Sequence, residues 1–517
     1  MFVATGDEAG LFSQEVSQYY QLHGFIQSQV DPHNLLKFGF QFNFNHDAQQ
    51  FDQTPWDASA ATSGLTDNYD YHPFDMNVYL QDNLTYSGVI FSPGLRFDYL
   101  SPNSYHLIDP ANYEPYYAGS PLWTQTAAQL QLSPRFGIAY PITDRSQFHL
   151  SYGWFFQHPN YNLMFAHLNV NPDAGVSNVI GNPDLLAEKT KSYEIGYDNQ
   201  ISEDMAITIT AYYKDQYNLP GTTVYSSVSQ QGSNGLAYSL YTSGEYANQR
   251  GVEITLRKSL TSNYSFVGNL TISQTIGTSS SVTESYSLSQ AIPPNPYNPN
   301  QSNTIYPATA FAMDYDRPIV ANLVANANYN KGEGPSIGGI HFLENFNFNL
   351  TGTYESGTPY TRIDPKTNKI IGDFNGSRNP SWWDVDMRIE RFIPLRDVLG
   401  DWAGNVIMSL FFNINNIFNN VQALYYYATS GVADNNGNNL TVGSFDPTTW
   451  LKTGNGPGQV DLYGRPLYTT AADFGDKGSV NQQDKYQSYL NYLNGNYARR
   501  ANYELPREVS FGATIKF

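Results

Sequence analysis

The chain has 517 residues, 40% hydrophobic, 15% aromatic and only 14% charged, with a formal net charge of -19. That length ordinarily makes about three globular domains, a rule that large β-barrels break, and the charge content lies far below the roughly 25% of soluble domains. A mean hydropathy of -0.44 and the lack of an apolar run near 20 residues exclude transmembrane helices, an acidic pI near 4.7 argues against nucleic acid, and the wealth of aromatics argues against disorder.

There is no cysteine, which removes disulfides, thiolate zinc sites and cysteine nucleophiles together. The first residues, Met1-Phe2-Val3-Ala4-Thr5-Gly6-Asp7-Glu8, carry neither a basic n-region nor an apolar h-region and do not read as a signal peptide.

Beyond them the commonest pattern is alternation with period two, the mark of a strand with two different faces. The first credible strand covers residues 16–30. Phe38, Phe40, Phe42 and Phe44 follow with Gly39, Gln41 and Asn43 between them. The pattern returns at Phe148, Leu150, Tyr152, Trp154 and Phe156, and again at Met205, Ile207, Ile209, Ala211 and Tyr213. Further along, Phe346, Phe348 and Leu350 alternate with asparagines. Trp383, Val385, Met387 and Ile389 oppose Asp384, Asp386, Arg388 and Glu390. The chain ends on Val509, Phe511, Ala513, Ile515 and Phe517 against Ser510, Gly512, Thr514 and Lys516. Roughly fifteen candidates of about 10–14 residues emerge, longer than usual globular strands and matched to the about 9–11 residues of a strand tilted across a bilayer. Aromatics gather near strand ends, as at Tyr212-Tyr213 and Tyr354, where a membrane interface places its girdle.

The connections alternate between short and long. Short ones include Asp31-Pro32-His33-Asn34, residues 141–145, Ser202-Glu203 and Thr261-Ser262. Long stretches rich in Asn, Ser, Gly, Pro and Asp lie near 46–71, 100–130, 158–189, 215–244, 278–317, 357–381 and 420–505. In an up-and-down meander alternate connections lie at one end, so every long loop falls on the same side, as in outer-membrane barrels. The expected fold is all-β: an antiparallel up-and-down transmembrane β-barrel with long loops on one side. If the last strand runs inward, so does the first, and the strand count is odd. Bacterial single-chain barrels are even-stranded, and an open edge in lipid leaves unpaired backbone groups. Residues 1–517 therefore read as the C-terminal portion of a larger barrel.

Several stretches resemble one family. Gly181-Asn182-Pro183-Asp184-Leu185-Leu186-Ala187-Glu188-Lys189, with Tyr193-Glu194-Ile195-Gly196 after it, is similar to a segment of TonB-dependent receptors. Gly251-Val252-Glu253 resembles their Gly-Val-Glu strand start, and Phe412-Asn413-Ile414-Asn415-Asn416-Ile417-Phe418-Asn419 their element before the final long loop. Ser133-Pro134-Arg135-Phe136-Gly137 and Gly94-Leu95-Arg96-Phe97-Asp98-Tyr99 also fit. The branch with a carboxypeptidase-regulatory-like domain ahead of the plug is the most similar. The resemblance implies a barrel of about 22 strands plugged from within, in the outer membrane of a Gram-negative bacterium. It implies uptake of a scarce extracellular ligand (siderophore, glycan or peptide), energised by TonB through the plug. This sequence departs from the family in lacking the plug domain, the TonB box and about seven strands. The implied partners are outer-membrane lipid, the barrel-assembly machinery and, through the missing N-terminal plug, TonB. A surface-exposed adhesin or glycan-binding module without transport remains the alternative.

Candidate sites follow from the alternation. Asp384, Asp386, Arg388 and Glu390 are expected to face the lumen, where they either grip a plug and line a substrate path or merely pair across a wetted wall. Val509, Phe511, Ile515 and Phe517 resemble the terminal signal that the barrel-assembly machinery recognises. Asp434-Asn435-Asn436-Gly437 lacks the alternating acids and terminal Glu of a calcium loop. The 9 histidines form no H-x-x-x-H or H-E-x-x-H pair. No G-x-S-x-G nucleophile motif occurs, and Gly332-Glu333-Gly334-Pro335 reads as a turn. No catalytic residue, metal or cofactor is expected, and the protein reads as no enzyme. Tyr116-Tyr117 and Tyr425-Tyr426-Tyr427 either stack on a sugar or a flat siderophore or, as the more ordinary reading, girdle the membrane interface or pack among the loops.

Overall fold

The computed structural model describes residues 11–53, 66–169, 179–226, 237–284, 310–364, 370–433 and 503–516. Fifteen long strands dominate it: β1 (Leu11–Gln29), β2 (Asn34–Gln53), β3 (Phe74–Tyr86), β4 (Val89–Ser101), β5 (Gln129–Thr143), β6 (Ser146–Gln157), β7 (Glu188–Gln200), β8 (Met205–Ser226), β9 (Ala237–Thr261), β10 (Tyr264–Gly277), β11 (Ile319–Tyr329), β12 (Phe346–Glu355), β13 (Trp382–Pro394), β14 (Ile407–Asn415) and β15 (Glu508–Lys516). Each pairs antiparallel with the next in the chain. Among the described residues no ladder joins β15 back to β1. No helix among them is long and apolar enough to cross a membrane, which leaves crossing by strands open.

Chemistry at the turns explains the meander. Ser87-Gly88 and Ser262-Asn263 all have positive φ, the type I′ geometry whose twist matches the flanking strands. The second of these turns lies one residue beyond the expected Thr261-Ser262. Asp31 accepts hydrogen bonds from the backbone N–H of His33 at 2.7 Å and of Asn34 at 3.0 Å, closing the β1–β2 turn. Those bonds hold its carboxyl below the ordinary carboxylate range.

All seven long connections leave from the end opposite these turns, as the composition of the loops predicts. Two of them are shorter than expected, because β2 continues to Gln53 and the β8–β9 hairpin runs through Ser226 and resumes at Ala237. Strand pairing beyond the membrane span satisfies backbone groups that a free loop would leave to water. A short strand, Thr66–Tyr71, keeps the β3 register against β2: Asp47 faces Tyr71 and Phe44 faces Phe74. The break between them falls at Pro73, which has no N–H for the ladder.

Register turns the alternation into two faces, because residues opposite one another share a side of the sheet. From β7 to β13, one row reads Asp198, Thr208, Thr255, Asn269, Asn322, Thr353 and Asp384. Its side chains bond along the row: the Thr208 hydroxyl donates to Asp198 at 2.7 Å, and that of Thr255 to Asn269 at 2.9 Å. The adjacent row on the other face reads Tyr197, Ile209, Ile254, Leu270, Ala321, Tyr354 and Trp383. On that apolar face Leu80, Leu95, Ile272 and Phe511 stand between 46% and 61% exposed. Water makes no stable home for a continuous apolar sheet of this size.

An aromatic belt crosses the apolar face toward the long-loop end. Tyr152 packs on Tyr193 at 4.9 Å between ring centroids and Tyr193 on Tyr213 at 6.1 Å. Lys191 lies 5.0 Å above the ring of Trp154, and Lys189 5.5 Å above it. Both ammonium groups lie over the indole face, a cation–π arrangement that suits a tryptophan and lysines at a membrane interface. Tyr212, expected in this girdle, lies on the polar face instead. It faces Gly251 in the ladder, and a Cβ on Gly251 would come within 2.9 Å of the tyrosine hydroxyl.

At the short-turn end, Asp204 accepts from Lys258 Nζ at 2.8 Å, from Ser202 Oγ at 2.6 Å and from Thr261 Oγ1. These donors hold its carboxyl well below the ordinary range, the bond from Lys258 contributing most. A folded-state pKa below the unfolded value stabilises at neutral pH, and that stabilisation is lost as pH falls from about 4 toward the depressed pKa. Asp204→Asn is therefore expected to flatten the acid limb of a urea-unfolding profile while changing its shape little above about pH 5. An unchanged acid limb in the variant rules out this role.

Candidate functional site: the polar wall and its loop cap

Four of the five charged residues of β13 share the polar face, Asp384, Asp386, Arg388 and Glu390, while Arg391 lies on the other face opposite Phe346. Arg388 makes an ion pair with Glu390 at 3.2 Å, donates to Asn413 Oδ1 at 3.0 Å and covers the ring of Phe411 at 4.2 Å. The Ser409 hydroxyl donates to Glu390, and Asp386 accepts the backbone N–H of Asn416 at 2.9 Å. Asp384 Oδ1 is buried without a hydrogen bond among the described residues. The terminal apolar residues lie on the other face. Val509 is opposite Ile414, Phe511 opposite Phe412 and Ile515 opposite Met408, with the two phenyl rings 4.9 Å apart. Phe517 lies outside the described residues, as do Asp434-Asn435-Asn436-Gly437.

A larger feature of the polar face comes from β2–β7. Lys37, Gln81, Gly94, Arg135, Gly153 and Ser192 form one row across six strands. Two glycines in that row leave room for a hollow of about 520 Å³, which also takes in Arg96 and Glu194. Arg96 pairs with Asp98 at 2.7 Å. Arg135 lies 4.8 Å from the ring of Phe155, and Lys37 5.1 Å from that of Phe25. Three cations and one carboxylate thus line this hollow in a chain with 27 Lys+Arg against 46 Asp+Glu. The field there favours an anionic group. Alternation marks Arg96 and Arg135 as polar-face residues. Their convergence with Lys37 needs the register of four strands, β2 to β5, and was beyond a local pattern.

Above the wall, the long connections fold against one another. Leu107, Tyr113 and Trp123 from the β4–β5 connection bury against Leu168 and Ile180 from the β6–β7 connection and Tyr238 and Leu240 of β9. Tyr113 and Tyr238 rings lie 4.7 Å apart, and burial pushes the Tyr113 hydroxyl far above its usual range. A second cluster joins Tyr69 to Met164, Phe165 and Leu185. Asp67, beside it, is almost wholly buried; it accepts the His167 N–H at 2.9 Å, and burial raises its pKa despite that histidine. Val179–Ile180 adds a short parallel pairing with Ser239 and Leu240. Tyr116 stacks on Tyr105 at 5.5 Å and meets Trp123 edge-on at 5.3 Å, both within its own β4–β5 connection, and packs against the first cluster.

The Gly181-Asn182-Pro183-Asp184-Leu185 segment organises this cap. A Cβ on Gly181 would lie 2.7 Å from the Ala166 carbonyl oxygen, so only glycine fits. Asn182 donates to the Tyr241 carbonyl at 2.9 Å and accepts the Asp184 N–H at 3.0 Å. Leu185 is fully buried, and its carbonyl accepts from Gln129 at 2.7 Å. The connections at the other side of the wall lock similarly: Asp316, fully buried, pairs with Arg378 and accepts the Thr275 N–H at 2.6 Å.

An antiparallel meander with a lipid-compatible face, a polar face and every long connection at one end defines a transmembrane β-barrel wall. The family described as TonB dependent receptor-like, beta-barrel matches residues 3–417, and the chain belongs to that family. No curated protein matches it. Among solved structures, it is similar to the outer membrane transporter YddB from Escherichia coli, at 11% identity and a TM-score of 0.50, covering 80% of this chain and 52% of that one. The ferric yersiniabactin uptake receptor FyuA from Yersinia pestis matches at 12% identity and a TM-score of 0.46, covering 81% and 52%. The FrpB iron transporter from Neisseria meningitidis matches at 12% and 0.46, covering 77% and 50%. The chain spans about half the length of these structures, and the likeness is one of fold.

Proposed function

We propose that the protein is the C-terminal barrel portion of an outer-membrane transporter of a Gram-negative bacterium, which takes up a scarce extracellular ligand (siderophore, glycan or peptide) with energy relayed by TonB. The observation that carries this reading is the pairing of a polar wall with long connections packed into a cap at one end only. The apolar face would meet outer-membrane lipid, and the polar face, with Asp384, Asp386, Arg388 and Glu390, would line the lumen. A plug supplied from outside these 517 residues would fill that lumen and contact TonB. The cap would capture the ligand. The cations around Lys37, Arg96 and Arg135, placed toward the short-turn half, would meet carboxylates of the plug or of an anionic ligand in transit. Val509, Phe511, Ile515 and Phe517 would present the barrel to its assembly machinery. The family contains transport proteins, and the wall and cap would serve binding and passage of a ligand.

Intact mass of the native protein, purified from outer membranes, tests the reading together with ligand uptake in cells with and without TonB. The expected mass lies several hundred residues above 58.0 kDa, and uptake stops when TonB is deleted. A native protein of 58.0 kDa, or one recovered only from the soluble fraction, overturns it.

A further inference from the structure

The apolar face carries one polar cluster that the transport reading leaves unused. His46 of β2 lies at the long-loop end, and the register on either side, Asp47 with Tyr71 and Phe44 with Phe74, puts it opposite His72. The two imidazoles stack with centroids 4.5 Å apart and planes 6° apart. Asp70 sits diagonally between them, its Oδ1 3.0 Å from His46 Nε2 and 3.7 Å from His72 Nδ1. One ligand atom from each residue lies within 4.8 Å of the other two. Directly below, Phe44 and Phe74 pack at 5.1 Å and Phe74 meets Tyr99 at 6.0 Å. The cluster therefore stands beyond the Phe44–Phe74–Tyr99 aromatics, toward the long-loop end of β2.

We propose that His46, Asp70 and His72 form a surface site for a zinc-class divalent cation. Two imidazole nitrogens and a carboxylate oxygen make a donor set suited to Zn²⁺, Cu²⁺ or Ni²⁺ and poorly suited to Mg²⁺ or Ca²⁺. Tetrahedral zinc, bonded at about 2.0–2.1 Å, holds neighbouring donors about 3.3 Å apart. The two nitrogen–oxygen separations straddle that value. Stacked rings aim their lone pairs in parallel, so binding turns each imidazole about χ2 until both point at the ion. The side chains of Asp70 and His72 are 65% and 67% exposed, which leaves them free to turn. Exposure also leaves the fourth position to water or to an anionic oxygen at the membrane surface. The ion would clip Thr66–Tyr71 to β2 across the Pro73 gap, where the ladder lacks a bond.

The test is zinc titration of the full-length protein, purified in detergent without a polyhistidine tag, against a chromophoric chelator. Cu²⁺ electron paramagnetic resonance on the same preparation reads the donor atoms. One ion per chain is expected at this site, with nitrogen couplings from two imidazoles. The double variant H46Q/H72Q is expected to lose the site, and D70N to weaken it more than about tenfold. H33Q, altered in the turn at the opposite end, keeps it. Heat-modifiable gel migration shows that each variant is folded. Unchanged zinc stoichiometry and affinity in folded H46Q/H72Q, or a copper spectrum without histidine nitrogen couplings, overturns the proposal.

Discussion

Ile254→Arg is expected to abolish or strongly reduce the folded, heat-modifiable form of the protein in outer membranes, whereas Thr255→Arg is expected to preserve it. The two positions are neighbours in β9 and differ only in the face they occupy. Ile254 lies between Ile209 and Leu270, and Thr255 between Thr208 and Asn269. An arginine on the lipid face near mid-height costs about 2–4 kcal/mol, while the lumen side tolerates charge. The cost is a large fraction of the about 5–15 kcal/mol that ordinary domains have in total. Urea titration of the purified barrel in lipid gives the magnitude. If Thr255→Arg proves the more damaging substitution, the assignment of faces is reversed, and the proposed lumen positions of Asp384, Asp386, Arg388 and Glu390 go with it.

Phe165→Ala is expected to open the cap and leave the wall intact. Phe165 is completely buried and meets the rings of Tyr71 at 4.6 Å, Tyr161 at 5.7 Å and Tyr69 at 6.0 Å. Emptying such a site costs about 3–5 kcal/mol. The loss falls on contacts between connections, because the ladders below depend on backbone pairing and on the two faces of the sheet. Limited proteolysis of whole cells reads the effect: the connection between β6 and β7 becomes cleavable, while the heat-modifiable band persists. Protease resistance equal to that of the unaltered protein would show that the second cluster does not hold the cap closed. A ligand captured at the cap is expected to bind more weakly to Phe165→Ala, since ordering the loops then falls to the ligand.

Much of the wall was legible from residues alone. Alternation in Trp383-Asp384-Val385-Asp386-Met387-Arg388-Ile389-Glu390 names both faces of β13 without coordinates, because side chains in a strand alternate by geometry. The one-sided long connections were equally readable, since composition separates Asn- and Gly-rich stretches from strands. Family motifs added the likeness to TonB-dependent receptors. The same reading allowed loop packing for the loop aromatics but did not assemble the residues that build the cap, the cationic hollow or the histidine pair. Tyr212 shows the limit at a single residue: its place in a Tyr-Tyr pair suggested the girdle, and its register with Gly251 put it on the polar face.

By itself the sequence determined the strand number, the meander, the end at which the long connections lie and which residues share a face within each strand. All of these follow from the local period of the backbone and from turn chemistry. Only the tertiary structure decided which residues of different strands stand together. Lys37 with Arg96 and Arg135, His46 with Asp70 and His72, and Phe165 with Tyr69 are separated by tens of residues and brought together by cross-strand register. That register is set by hydrogen-bond ladders summed over whole strands, which no window of a few residues contains.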